Sequence, residues 1–173
     1  MSALTGIVAG AVLAAALATV TGTAASSAIP TRIAHPTGAD AVIFHTESSP
    51  NMWGGEYPDA TKATVYGDGR LVSGDGSEVQ VTERGIQRLL RDARAAGLLD
   101  DTAFGQALVT DQGTSMVTVN TRGNDRTISV YALELPEGDR GLPRPQRLAR
   151  RHLRRFLHSV GDPSYWGGTL VIR

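Results

Sequence analysis

Several short constellations in this chain have residue types that could do chemistry, and most fail on spacing. Asp111-Gln112-Gly113-Thr114-Ser115 comes close to the Asp-Thr-Gly-Ser/Thr loop of aspartic proteases. That chemistry needs two carboxylates sharing a proton across two lobes or a dimer axis. A chain of 173 residues is too short for two lobes, and Gln stands where Thr is needed. The segment reads instead as a turn entering a strand, with Asp111 bonding backbone amides. The four histidines are His35, His45, His152 and His158. His152 and His158 are six apart, whereas two zinc ligands on one helix face need a spacing of four. No Gly-x-Ser-x-Gly elbow supports a serine hydrolase. Gly67-Asp68-Gly69 and Gly74-Asp75-Gly76 lack both the repeats and the spaced oxygen ligands of calcium loops, so they read as turns. These spacings point to no catalytic residues, no metal and no cofactor.

The arginines carry more information. At 100° per residue, Arg84, Arg88, Arg91 and Arg94 fall opposite the apolar stripe of one helix. Arg147, Arg150, Arg151, Arg154 and Arg155 fall opposite the stripe of a second, with Arg140 and Arg144 leading in. No acidic residue lies between Asp139 and Asp162. If both helices cover one sheet face, their outer surfaces form an arginine wall suited to bidentate contact with oxyanions. The candidate partner face is Arg147, Arg150, Arg151, Arg154 and Arg155. Its partner would be an anionic envelope polymer, lipid headgroups or an acidic protein. Nucleic acid is disfavoured, since no binding motif is present. The plain alternative is a solvated charged face, partly neutralised by Asp92, Asp100 or Asp101.

The elements that must hold these residues follow from periodicity and turn chemistry. Asp40–Glu47 has the β-branched and aromatic content of a first strand. Thr61–Gly67 and Arg70–Ser73 flank Asp68-Gly69, a dipeptide that supplies the positive φ angles of a hairpin turn. Glu78–Val81 is a short strand or an extended entry. Thr82 caps a helix whose Ile86, Leu89, Leu90 and Ala93 fall at i, i+3, i+4 and i+7. Gly97 ends it, with Leu98 and Leu99 supplying the hydrophobic contact of such a cap. Burying each Leu or Ile of the stripe stabilises by about 1.5–3 kcal/mol, so Leu90→Asp should prevent folding. Thr114–Thr121 and Arg126–Leu133 form a second hairpin. A last helix, from about Pro145 to Val160, buries Ala149, Leu153, Phe156, Leu157 and Val160. Hairpins and amphipathic helices in this order define an α+β fold: an antiparallel sheet with both helices packed on one face. The tail 161–173, with Tyr165 and Trp166, pairs as an edge strand or hangs loose. Ser48–Ala60, with Trp53 and Tyr57, reads as a loop.

The first charged side chain is Arg32. Before it, the apolar run Ala3–Val20 and the small residues Thr21–Ala28 outline a secretory signal, with Gly22-Thr23-Ala24 and Ser26-Ser27-Ala28 as cleavage sites. No Lys or Arg precedes the run, so only the α-amino group supplies positive charge; the competing reading is an uncleaved membrane anchor. Residues 29–39 read as a linker and 40–160 as one domain. The absence of Cys excludes a disulfide framework and a thiol nucleophile. The 17 basic and 17 acidic residues balance, so no bulk field recruits polyanions. Lys62 is the sole lysine, and the Arg, Ala and Gly bias suggests a high-GC genome.

Tyr66-Gly67-Asp68-Gly69-Arg70, the Gly85–Leu99 helix ending Ala-Gly-Leu-Leu, Asp111–Ser115 and Val130-Tyr131-Ala132-Leu133 together resemble a group of uncharacterised exported actinobacterial α+β domains. The resemblance covers roughly residues 40–160. It implies secretion or surface attachment and brings no catalytic residues. Some of those domains carry Cys in the first loop, which this chain does not. The expectation is a non-enzymatic exported domain, with an extracytoplasmic hydrolase of unrecognised site as the alternative.

Overall fold

The computed structural model describes residues 32–50 and 62–167, together with the backbone of 170–171; the expected N-terminal signal and the expected loop around Trp53 fall outside these. The fold is α+β. Strands β1 (Val42–Ser48), β2 (Ala63–Tyr66), β3 (Arg70–Ser73) and β4 (Glu78–Val81) precede helix α1 (Glu83–Ala95). Strands β5 (Thr114–Thr121) and β6 (Asn124–Tyr131) precede helix α2 (Arg144–Gly161). A two-residue β7 (Leu170–Val171) follows. The sheet runs β6-β5-β1-β2-β3-β4-β7 and every pairing is antiparallel. The first strand thus lies between the two hairpins, with Phe44 opposite Val65 on one side and Val119 on the other.

Each turn uses local chemistry. In the β2–β3 connection only Gly69 takes a positive φ (89°), so Asp68 does not share the left-handed conformation expected of an Asp-Gly pair. Asp68 instead accepts the Arg70 amide at 3.0 Å. Gly69 is needed on a second count: its carbonyl accepts from Val81 N at 2.8 Å, and a Cβ there would strike the Val81 carbonyl. Asp75 likewise accepts the Ser77 amide at 2.9 Å. The carboxylates of both Gly-Asp-Gly segments therefore serve their own turns.

Thr82 caps α1, its hydroxyl accepting Gly85 N. At the other end Leu98 N reaches Ala93 O and Gly97 N reaches Arg94 O, both at 2.9 Å, with Gly97 at φ 85°. This paired bonding satisfies carbonyls a helix end would otherwise leave open. Leu98 is fully buried behind it.

The two stripes meet the sheet in one core. Ile86, Leu89, Leu90 and Ala93 from α1 and Leu153, Phe156, Leu157 and Val160 from α2 pack with Phe44, Val65, Leu71, Val117, Val119 and Val130. Phe44 and Phe156 meet edge to face at 5.7 Å. The opposite sheet face is polar: His45 Nδ1 bonds Thr64 Oγ1 at 2.8 Å, and Thr118 bonds Thr127 at 2.9 Å.

Two segments expected to be peripheral belong to this core. Residues 32–36 are not a free linker, because Ile33 and His35 are buried. Gln87 accepts Ile33 N (2.9 Å) and donates to Ile33 O (2.8 Å), binding the segment to α1 like a strand partner. In the tail, Tyr165 and Trp166 are buried, and Trp166 Nε1 donates to Val160 O at 2.9 Å. The tail then pairs with β4 as an edge strand.

Candidate functional site

The outer face of α2 is where the sequence places its candidate residues, and the structure divides them. Arg150 is not on that face. Its side chain is fully buried, a correction to the expected wall. The spacing accounts for it: Arg150 stands three before Leu153 and seven before Leu157, so it shares their side of the helix. Four of the guanidinium's five N–H groups are bonded from within. Nε donates to Asp139 Oδ1, one terminal nitrogen reaches Tyr131 O (2.9 Å) and Ala132 O (2.8 Å), and the other Gly105 O (3.4 Å). Ala132 takes a φ of 51°, and its carbonyl converges with that of Tyr131 on the one nitrogen.

Asp139 comes from the 3₁₀ turn Pro136–Gly141, which joins the second hairpin to α2. Its other oxygen accepts Arg154 at 2.7 Å, and Arg154 also donates to Leu133 O. Arg147 donates to Leu142 O. Arg147 and Arg154 are thus held from behind by backbone carbonyls. Arg140, Arg151 and Arg155 are exposed, and their side chains make no hydrogen bond or ion pair among the described residues. Two anchored and two free guanidiniums (Arg147 and Arg154, Arg140 and Arg151) line a concavity of about 350 Å³ with Pro136 and Asp139. The single charge of Asp139 is shared between Arg150 behind it and Arg154 beside it, while the side chains of Arg140, Arg147 and Arg151 make no ion pair among the described residues. A second concavity of about 450 Å³ shares Arg151 and Arg154 and adds Arg155, His158 and Asp162. His158 is paired with Glu134 at 2.9 Å.

The start of α2 works against its own stability. Its first turn holds no acidic residue, Pro143 provides no side-chain cap, and Arg144 and Arg147 sit at the positive end of the helix dipole. Each cation there costs about 0.3–1 kcal/mol. A bound anion would reverse that sign.

The arginines of α1 do not extend the wall without a break. Arg88 lies over the Tyr165 ring at 4.3 Å, donates to Tyr165 O (2.8 Å) and faces Asp92 at 3.8 Å. Tyr165 donates to Asp92 at 2.8 Å. Burial raises the pKa of this phenol, and the hydrogen bond to Asp92 raises it further. Asp92 therefore places a negative group between the two helices, lining the groove with His152 and Arg155.

A cavity away from the helix faces, about 320 Å³, is lined by Arg32, His35, Thr37 and Arg122. The nearby carboxylate, Glu83, already contacts Arg32 (2.9 Å), His35 (3.2 Å) and Gln87 (3.0 Å). Partial burial pushes the Glu83 carboxyl up, but bonds from His35 and Gln87 and the charges of His35 and Arg32 outweigh it and hold it below its ordinary value. A carboxylate so occupied is a poor general base. Asp111-Gln112-Gly113 forms a turn into β5: Asp111 takes a φ of 62°, Tyr131 Oη accepts Gln112 N, and Gly113 O accepts Ala132 N. Among the described residues, no group of three His, Asp or Glu could hold a metal ion.

Against family models, curated proteins and solved structures the chain finds no match.

Proposed function

We propose that this chain is an exported, non-enzymatic domain that binds an anionic partner of the cell envelope through the outer face of α2. The observation that carries the reading is the concavity lined by Arg140, Arg147, Arg151 and Arg154, whose one carboxylate is already neutralised. Guanidiniums fixed by backbone carbonyls have lost their rotamer freedom during folding, so a bound oxyanion need not order them again. Export rests on the apolar leader, residues 1–28, and on the resemblance to exported actinobacterial domains.

Retention on a phosphate-bearing cation exchanger, measured against salt, tests the binding. The chain is expected to bind at low salt, and its log K should fall linearly with log salt. Arg140→Ala/Arg151→Ala should lower that slope by about two, one per lost contact. No retention, or an unchanged slope in the variant, overturns the reading. N-terminal sequencing of protein from culture supernatant and envelope tests the compartment. Recovery of only the intact chain from the cytosol overturns export.

A further inference from the structure

We propose that the anionic partner is a phospholipid surface, with a headgroup phosphate in the Arg140–Arg154 concavity and Leu108 and Leu148 in the interfacial layer. The inference deepens the anion-binding reading and rests on it.

Two exposed leucines accompany the arginines. Leu108 is 84% exposed and Leu148 is 38% exposed. Leu108 lies over Gly141, where an added Cβ would stand 3.4 Å from its side chain, and Gly141 follows Arg140 directly. Leu148 is four residues after Arg144 and three before Arg151, so all three share one helix face. Free guanidiniums and solvent-facing leucines are thus interleaved from the 3₁₀ turn through the first two turns of α2.

Each alternative occupant uses only part of this surface. A purely acidic peptide offers carboxylates, whose two oxygens match a guanidinium as the two free oxygens of a phosphodiester do, but it brings no apolar layer to the leucines. Nucleic acid gains from aromatic platforms, and neither concavity is lined by Phe, Tyr or Trp. A soluble phosphate polymer matches the arginines but leaves the leucines in water. A bilayer interface presents phosphates above an apolar layer that a surface element enters by about 5–10 Å.

The test is co-sedimentation of the full-length chain with vesicles of phosphatidylcholine alone, or with about a third phosphatidylglycerol. The N-terminal run and its α-amino charge are the same in wild type and variants, so differences between them report the α2 face alone. Partition is expected to favour the anionic vesicles at least about tenfold and to fall about fivefold in Arg151→Ala. Leu108→Ser/Leu148→Ser should weaken anionic-vesicle binding while leaving retention of a soluble glycerol-phosphate oligomer unchanged. Equal partition between vesicle types, or an unaffected double-leucine variant, overturns the lipid assignment. If the oligomer still binds, the broader anion reading survives that failure; if neither oligomer nor anionic vesicle binds, both fall. Displacement from vesicles by polyglutamate at equal charge overturns the lipid assignment in favour of an acidic protein.

Discussion

Arg150 and Asp139 form an ion pair with both side chains out of water, the arginine fully buried and the aspartate 7% exposed. The pair ties the 3₁₀ turn to the second helix, and the carbonyls of Gly105, Tyr131 and Ala132 accept three further N–H groups of the arginine. Breaking such a pair from one side leaves an uncompensated buried charge and costs about 3–5 kcal/mol. Urea unfolding of Arg150→Met should show a loss of that order. Arg151→Ala and Arg155→Ala, about 1.5 and 7.5 Å along the same helix by its rise per residue, should stay within about 0.5 kcal/mol of wild type. Equal losses for Arg150 and Arg151 would contradict the division of the arginines.

Thr46 sits on β1 at 1% exposure, and its hydroxyl has no hydrogen-bond partner among the described residues. An unsatisfied buried polar group costs about 1–3 kcal/mol. Thr46→Val, nearly the same shape without the hydroxyl, should therefore raise the urea midpoint, with a gain of about 1 kcal/mol. A lower midpoint would mean that the hydroxyl is bonded.

The contacts around Glu83 make the attachment of residues 32–36 sensitive to acid. Its carboxyl is held below the ordinary value of 4.5, so the unfolded chain takes up this proton more readily than the folded one. The contribution is present above that value and is lost as pH falls through the lower, folded one. Glu83→Gln should flatten the acid limb of a stability–pH curve, read by thermal unfolding. An unchanged limb would show that the carboxylate does not hold the segment.

Tyr165 gives the opposite limb. Its phenol is pushed above the ordinary 10.0 by burial, and then by the Asp92 hydrogen bond, so the folded chain keeps a proton that the unfolded chain releases. Stability is whole below that value and declines as pH rises beyond it. In Tyr165→Phe the tyrosine part of this alkaline decline should vanish. A decline as steep as wild type would assign it to other groups.

Much of the fold was legible because local rules decide it. The Thr82 cap, the Gly97 terminus and the apolar stripes of both helices depend on a few neighbouring residues, and the structure has them where spacing puts them. Alternation likewise places Val117 and Val119 on the buried face of β5. The strand order was not legible. Nothing within Val42–Ser48 says that it lies between two hairpins, because pairing with β5 is a contact across about seventy residues of chain.

The sequence by itself determined which stretches bury one face, and it put the arginines on the helices. Only the tertiary structure decided which of those arginines still face water. Helical geometry gives Arg150 and Arg151 directions about 100° apart, but the choice between burial and solvent depends on what arrives opposite. For Arg150 that is a carboxylate and three carbonyls from segments remote in sequence, and they replace the hydration that an arginine ordinarily cannot give up.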